Sequence, residues 1–375
     1  MIPGPTPLPD AVRQALGQPA IGHRSPEFKA ILKRVFPRLQ DTFRTSSDVL
    51  MYTASGTGAM EAALINTLNP GDFVLSLTCG VFSERWADIA ESLGAVVERI
   101  SVPYGEANTV ESLRERLAQD TEKRIKAVTM IHSETSTGVL NPIPALVAEV
   151  KAHGALSIVD TVTGLGSAPF SFDEWGVDIA VSGSQKGFMI PPGLAFLSLS
   201  KKAWDAHAQC KHPGYYFNFK KNKKAQDEFT TAYTPATCLI QALDTALAMM
   251  AEEGLENQLA RHARLKTMVR AGVSAMGLKP VVENAEQASC AVTSVWPPEG
   301  VSVADIRAGL KSRFGITVAD GQKSLKGKIF RIGHLGYVTE REVYLVLTAL
   351  EIVLTDLGAK VPVGAAVAAA RQVAG

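Results

Sequence analysis

Between about residue 50 and residue 200, short apolar runs alternate with segments whose apolar residues recur every three or four positions, a pattern that few architectures accommodate. Residues 73–77, 96–100, 127–131, 156–159, 179–182 and 195–199 read as strands. Residues 83–93, 110–117 and 144–152 read as helices between them, and Gly94 and Gly154 suit helix ends. Such runs are buried on both faces, so the expected class is α/β, with a mostly parallel sheet between layers of helices. A long helical stretch over 237–253 precedes Gly254 and a charged, periodic segment over 257–276 that reads as a connection between domains. From Val281 the order strand, helix (303–314), strand (329–332), helix (340–357) predicts a smaller α+β unit, and the Ala/Val-rich tail from Val361 reads as either a short amphipathic helix or a frayed end and is assigned no role.

A chain of 375 residues with 46% hydrophobic and 20% charged residues can bury a substantial core, which excludes extensive disorder. The formal net charge of +1 supplies no general field for nucleic acid or anionic membrane. The run Lys220–Lys224 beside Tyr215–Phe219 reads as a solvated loop. Cys79, Cys210, Cys238 and Cys290 form no metal-ligand or disulfide pattern, so no metal site is expected. Without an export signal or a membrane-length apolar run, the expected location is the cytoplasm.

Chemistry concentrates at a few positions. Lys186 lies in the turn Ser182-Gly183-Ser184-Gln185-Lys186-Gly187, where a lysine with few charged neighbours can lose its proton and bond an aldehyde. Asp160 ends the apolar run before it, where a carboxylate can hold a proton on a pyridine nitrogen. That pairing describes pyridoxal phosphate. Ser55-Gly56-Thr57-Gly58 opens a helical stretch and forms a candidate anion cradle. Arg331 follows an apolar strand and can grip a carboxylate through two parallel hydrogen bonds. Phe82, after a strand, can lie flat against a pyridine ring, whereas His334 reads as structural.

The ordered series Pro3–Pro7, Gly22–Ser25, Ser55–Gly58, Ser133–Gly138, Asp160–Val162, Ser182–Lys186, Pro191–Gly193, Tyr233–Pro235, Glu253–Asn257 and Phe330–Gly336 resembles the class V pyridoxal-phosphate aminotransferases, and within them the alanine:glyoxylate and serine:glyoxylate family. The resemblance implies fold type I, with an N-terminal arm (1–20) reaching the active site, a large cofactor domain (21–255) and a small C-terminal domain (256–375). It implies that Lys186 bonds the cofactor aldehyde, Asp160 contacts the ring nitrogen and Val162 packs on the face opposite Phe82. Gly56, Thr57 and Gln185 would hold the phosphate, Thr135 the polar edge of the ring, and Thr234 the phosphate of a neighbouring subunit in a homodimer. Gly4 and Arg331 would meet the substrate. Phe82 and Thr231 stand where the animal alanine:glyoxylate enzymes have tryptophan and tyrosine.

The implied activity moves the amino group of a small amino acid to a 2-oxo acid, with glyoxylate the expected acceptor, through the cofactor's two alternating forms. Arg331 is the single strong cationic anchor read from the sequence, which favours alanine or serine over dicarboxylates. A cysteine desulfurase or selenocysteine lyase is the competing enzyme, but the cysteine that one desulfurase branch carries five residues after this arginine is Gly336 here. Cys290 lies in an apolar run that reads as a buried strand. A non-catalytic binding protein would have no need for Lys186 and Asp160 together.

Overall fold

The computed structural model describes residues 1–374. Its strands are β1 (Asp48–Tyr52), β2 (Phe73–Thr78), β3 (Val96–Ser101), β4 (Ile125–Ile131), a short hairpin of β5 (Ser133–Glu134) and β6 (Val139–Leu140), then β7 (Leu156–Asp160), β8 (Ile179–Gly183), β9 (Ala195–Leu199), β10 (Val292–Val295), β11 (Ala319–Asp320) and β12 (Phe330–Gly333). Seven of them form one sheet in the order β1-β9-β8-β7-β4-β2-β3. The contacts among β2, β3, β4, β7 and β8 are parallel, and β9 runs antiparallel to both of its neighbours.

Alternation along each strand divides the side chains between two cores. Leu75, Leu77, Val128, Met130 and Val159 pack with helices Pro26–Phe43, Ile143–His153 and Thr237–Glu253 on one face. Val74, Ala127, Ile158, Ile179 and Val181 pack with helices Gly56–Ile65 and Val81–Ser92 on the other. Each fully buried leucine or valine contributes about 1.5–3 kcal/mol, so neither face tolerates a register slip. The α/β class and the six sheet strands read from the sequence are present. The remaining strand, β1, precedes the alternating region.

The chain passes from β2 to β3 on one side and then returns to β4 on the other side of β2. In open α/β sheets a crevice forms at the carboxyl ends of strands where the winding reverses. β2, β4, β7 and β8 all end at that edge. So does β1, because two successive antiparallel pairings restore the common direction.

A second, three-stranded sheet in the order β10-β12-β11 is backed by helices Leu255–Ala275, Val303–Phe314, Glu340–Asp356 and Ala365–Ala374. Phe330 and Ile332 point into this core, so alternation turns Arg331 to the opposite face, towards the large sheet. Two expectations are corrected. The strand expected from Val281 begins at Val292, because residues 281–291 run as irregular chain. The lysine run is not a loop but lies in helix Phe219–Asp227, whose first residue buries its ring while the lysines stay at the surface. Of the two readings of the tail, a short helix or a frayed end, the helix is the one present, and Ala366 and Ala370 are buried in the small core.

Arg261 ties the two units together. It meets both carboxylate oxygens of Glu253 at 2.6 and 3.0 Å and donates to the carbonyls of Gly336 and Val338 at 3.0 Å each. The side chain is 17% exposed, so its removal leaves poorly hydrated acceptors behind. Arg261→Ala is expected to lower the free energy of unfolding by about 2–4 kcal/mol, read by urea denaturation.

Candidate active site

The residues singled out from the sequence converge on the crevice. A cavity of about 320 Å³ is lined by Gly56, Thr57, Phe82, Thr135, Asp160, Val162, Gln185 and Lys186, and by Gly4 from the N-terminal arm. Each arrives from the carboxyl end of a strand: Gly56 and Thr57 after β1, Phe82 after β2, Thr135 after β4, Asp160 at the end of β7 and Lys186 after β8.

Asp160 is enclosed. Its Oδ1 accepts from the Val162 amide at 2.8 Å and its Oδ2 from the Trp86 indole at 3.2 Å. Burial raises its carboxyl to about 6 despite these donors and the nearby Lys186. Lys186 shows the complementary effect. Burial, reinforced by the charge of Arg331, lowers its amine to about 8, although Asp160 pulls the other way. A lysine at about 8 carries a substantial neutral fraction near neutrality, which attack on an aldehyde requires.

The arm straps this lysine in place. The Thr6 amide donates to the Gln185 carbonyl at 3.2 Å, the Thr6 hydroxyl donates to the Lys186 carbonyl at 3.2 Å, and Lys186 Nζ donates to the Pro3 carbonyl. Gly4 sits at φ +128°, and a Cβ there would lie 2.7 Å from Lys186 Nζ, so both backbone and space demand glycine. The arm is anchored further on by helix Asp10–Leu16, whose Val12 is buried in the large core.

Pyridoxal phosphate fits these residues. Helix Gly56–Ile65 receives no side-chain cap from Ser55, so its first amides retain donor capacity at the cavity wall. Beside it, Gln185 lines the same cavity, where its side-chain amide N–H groups can donate to an anion. An anion cradle, a flat aromatic ring, a buried carboxylate and an amine of lowered basicity are the groups that a phosphorylated pyridine aldehyde needs.

Arg331 is buried beneath the cavity. Its Nε donates to the Asp320 carbonyl at 2.8 Å and one terminal nitrogen to the Thr135 carbonyl at 2.9 Å, leaving further N–H donors for a carboxylate. Burial lowers its basicity, while Glu134 and Asp320 oppose the shift. His334 is structural: its ring nitrogens meet the Thr293 hydroxyl at 2.9 Å and the Cys290 carbonyl at 3.1 Å. Cys290 is buried beside β10. Two expected site residues, Arg331 and Thr234, do not line this cavity: Arg331 lines an adjoining recess that shares Gly4, Phe82, Thr135 and Lys186 with it, whereas Thr234 lies elsewhere. It is exposed and lines a separate surface hollow with Tyr52 and Thr231.

Three contributors escaped the sequence reading. Trp86 holds Asp160, as above. Arg85 reaches the cavity from the same helix, donates to the Thr57 hydroxyl at 2.9 Å and places its guanidinium 4.8 Å from the centre of the Phe82 ring. Glu134, fully buried, accepts from the Phe82 and Ser83 amides at 3.1 and 2.9 Å and from the Ser136 amide and hydroxyl at 3.0 and 2.6 Å. The spacing Phe82, Arg85, Trp86 marked one helix turn that aims three residues at a common region; Glu134 left no local signal.

The chain belongs to the class V aminotransferases: residues 10–346 match the model of that family. Over 100% of its length it is 46% identical to the soluble hydrogenase 42 kDa subunit of Anabaena cylindrica, covering 97% of that protein. It is 40% identical to the serine–glyoxylate aminotransferase of Hyphomicrobium methylovorum, with 99% of this chain and 93% of the relative covered. The solved structure of ureidoglycine–glyoxylate aminotransferase from Bacillus subtilis superimposes with a TM-score of 0.94 at 31% identity, covering 100% and 97% of the two chains. The fold is therefore that of the type I pyridoxal-phosphate enzymes, the chain is a transaminase, and pyridoxal phosphate is its cofactor.

Glu134→Gln places an amide nitrogen where only acceptors fit and is expected to cost about 2–4 kcal/mol in thermal or urea unfolding. The amine of Lys186 sets a pH dependence. Its neutral fraction rises as pH rises through about 8, so cofactor capture by the apoprotein should accelerate from pH 6 and level off above about 8. Removing the neighbouring positive charge with Arg331→Gln should move that midpoint upward, followed by the growth of visible absorbance after mixing.

Proposed function

We propose that this enzyme transfers the amino group of alanine or serine to glyoxylate in two half-reactions, as a cytoplasmic homodimer whose partner subunit completes each phosphate site through Thr234. One observation carries the reading: Lys186, Asp160 and Arg331 surround connected cavities, with the amine poised near neutrality and the guanidinium holding unused donors. The cofactor, when bound, supplies a conjugated ring that takes up the electron pair left when the substrate's α-proton departs.

The protein's own groups divide the remaining work. Arg331 fixes the substrate carboxylate, which sets the orientation of the α-carbon. Lys186 Nζ would hold the cofactor's aldehyde carbon, and as a neutral amine it is the base placed to take up and give back the substrate's α-proton. Asp160, held by Trp86 and the Val162 amide, keeps a negative charge where a ring nitrogen must remain protonated. The arm residues Pro3 to Thr6 cover Lys186 and keep bulk water from it. Support for the dimer is the exposure of Thr234 and of Tyr215 and Tyr216 beside it, aromatic surface suited to burial against a second copy.

Holoenzyme mixed with alanine or serine in the absence of an acceptor should convert its aldehyde cofactor to the amine form, with absorbance shifting accordingly, and glyoxylate should reverse the change. Loss of conversion in Lys186→Ala with retained folding would agree. No conversion by either amino acid, with sulfide released from cysteine instead, would transfer the assignment to the desulfurase branch.

A further inference from the structure

Arg331 is not alone. Next to the cofactor cavity lies a recess of about 280 Å³, reached by Lys186, Phe82 and Thr135 on one side and walled by the small unit on the other. That wall brings in a second guanidinium, Arg307 of helix Val303–Phe314, together with Asp320 and Gln322. The expectation of one cationic anchor is thus corrected, yet the second cation is already engaged. Arg307 Nε donates to the Val318 carbonyl at 3.2 Å, and a terminal nitrogen lies 3.5 Å from Asp320 Oδ2. Asp320 Oδ1 accepts from the Gly327 amide at 2.9 Å.

The charges decide what such a recess holds. Two guanidiniums face one carboxylate, and the α-carboxylate of an amino acid on Arg331 neutralises the excess. What remains for the donor's side chain is a neutral pair, Arg307 and Asp320, whose 3.5 Å separation leaves both with hydrogen-bonding capacity to spare. Gln322 adds a buried Oε1 without a partner among the described residues. A hydroxyl suits this set, since it can accept from Arg307 and donate to Asp320 or Gln322. A methyl group answers none of the three. A second carboxylate could approach Arg307 only against the charge of Asp320.

We propose that Arg307, Asp320 and Gln322 form the subsite for the donor's side chain, that they favour a hydroxylated amino acid, and that Asp320 is the residue that turns dicarboxylates away. This rests on the transaminase reading with Arg331 as the α-carboxylate anchor. It goes beyond that reading by ranking the donors and naming the residues that rank them. The pair is partly exposed, 37% for Arg307 and 28% for Asp320, which tempers the discrimination to about tenfold to hundredfold rather than the larger factors of a sealed site.

The test uses the holoenzyme with two readouts. The first is equilibrium binding, by calorimetry, of lactate, glycerate and malate, which carry the side chains of alanine, serine and aspartate but no reactive amine. The second is cofactor conversion by the three amino acids themselves. The wild type should bind glycerate at least about tenfold tighter than lactate or malate, and the amino acids should follow the same order. Asp320→Asn retains an oxygen for the Gly327 amide and should raise the malate-to-glycerate affinity ratio at least about tenfold. Gln322→Leu should lower the glycerate-to-lactate ratio, and serves as the second variant should the first misfold. Glycerate and lactate binding within twofold of each other in the wild type, or ratios unmoved in both variants, would overturn the subsite. Discrimination among the acids without conversion by any amino acid would instead sink the transaminase reading and leave the subsite standing.

Discussion

A carboxylate with no cation in hydrogen-bond contact holds the site in shape. Glu134, buried at the end of β5, spends its oxygens on the amides of Phe82, Ser83 and Ser136 and on the hydroxyls of Ser83 and Ser136. A buried carboxylate is costly unless its lone pairs are filled, and here five donors from two segments fill them. The consequence is geometric. The start of helix Val81–Ser92 is locked to the chain that follows β4, and that helix carries the ring of Phe82, the guanidinium of Arg85 and the indole of Trp86. Gly80 is where the lock needs close approach, since a Cβ at that position would collide with the Glu134 side chain.

From that lock the remaining contacts extend outward. Trp86 reaches Asp160 on β7, and Asp160 lies close enough to Lys186 for each to influence the other's proton. The Thr135 carbonyl, one residue beyond Glu134, receives Arg331 from the small unit. Reagents and scaffold are thus joined through a few saturated polar groups inside an otherwise apolar fold. Burial does the chemical tuning: it raises an acid and lowers a base at the same edge of the sheet, so that both sit within reach of neutrality.

The small unit contributes more than a lid. Its central strand presents Arg331, while the neighbouring segments supply Arg307, Asp320 and Gln322, so this wall of the recess beside the cofactor cavity is built from chain far from the cofactor site in sequence. Arg261 and the N-terminal arm both fasten this unit to the large one. The arm's first residue also receives the Gly333 amide at the end of β12, which places Pro3 and Gly4 between Lys186 and the small sheet.

The sequence by itself determined the parts that local rules govern. Alternating strand and helix periods gave the sheet, because burial on both faces leaves a signature in every strand, and Lys186, Asp160, Gly56, Thr57 and Arg331 were legible through their combination in one ordered series, since each turn or strand end by itself has common structural uses. It misplaced the first strand of the small unit and misread the lysine run as a loop, since residues 281–291 are held by scattered tertiary bonds and the helix at Phe219 depends on one buried ring. Tertiary structure alone decided the rest. Glu134 and Trp86 act through partners tens of residues away, Arg307 becomes a neighbour of Arg331 only when a helix and a sheet pack together, and the proton affinities of Asp160 and Lys186 are properties of burial. Those effects depend on distance and solvent exclusion, and neither quantity is written in the order of residues along the chain.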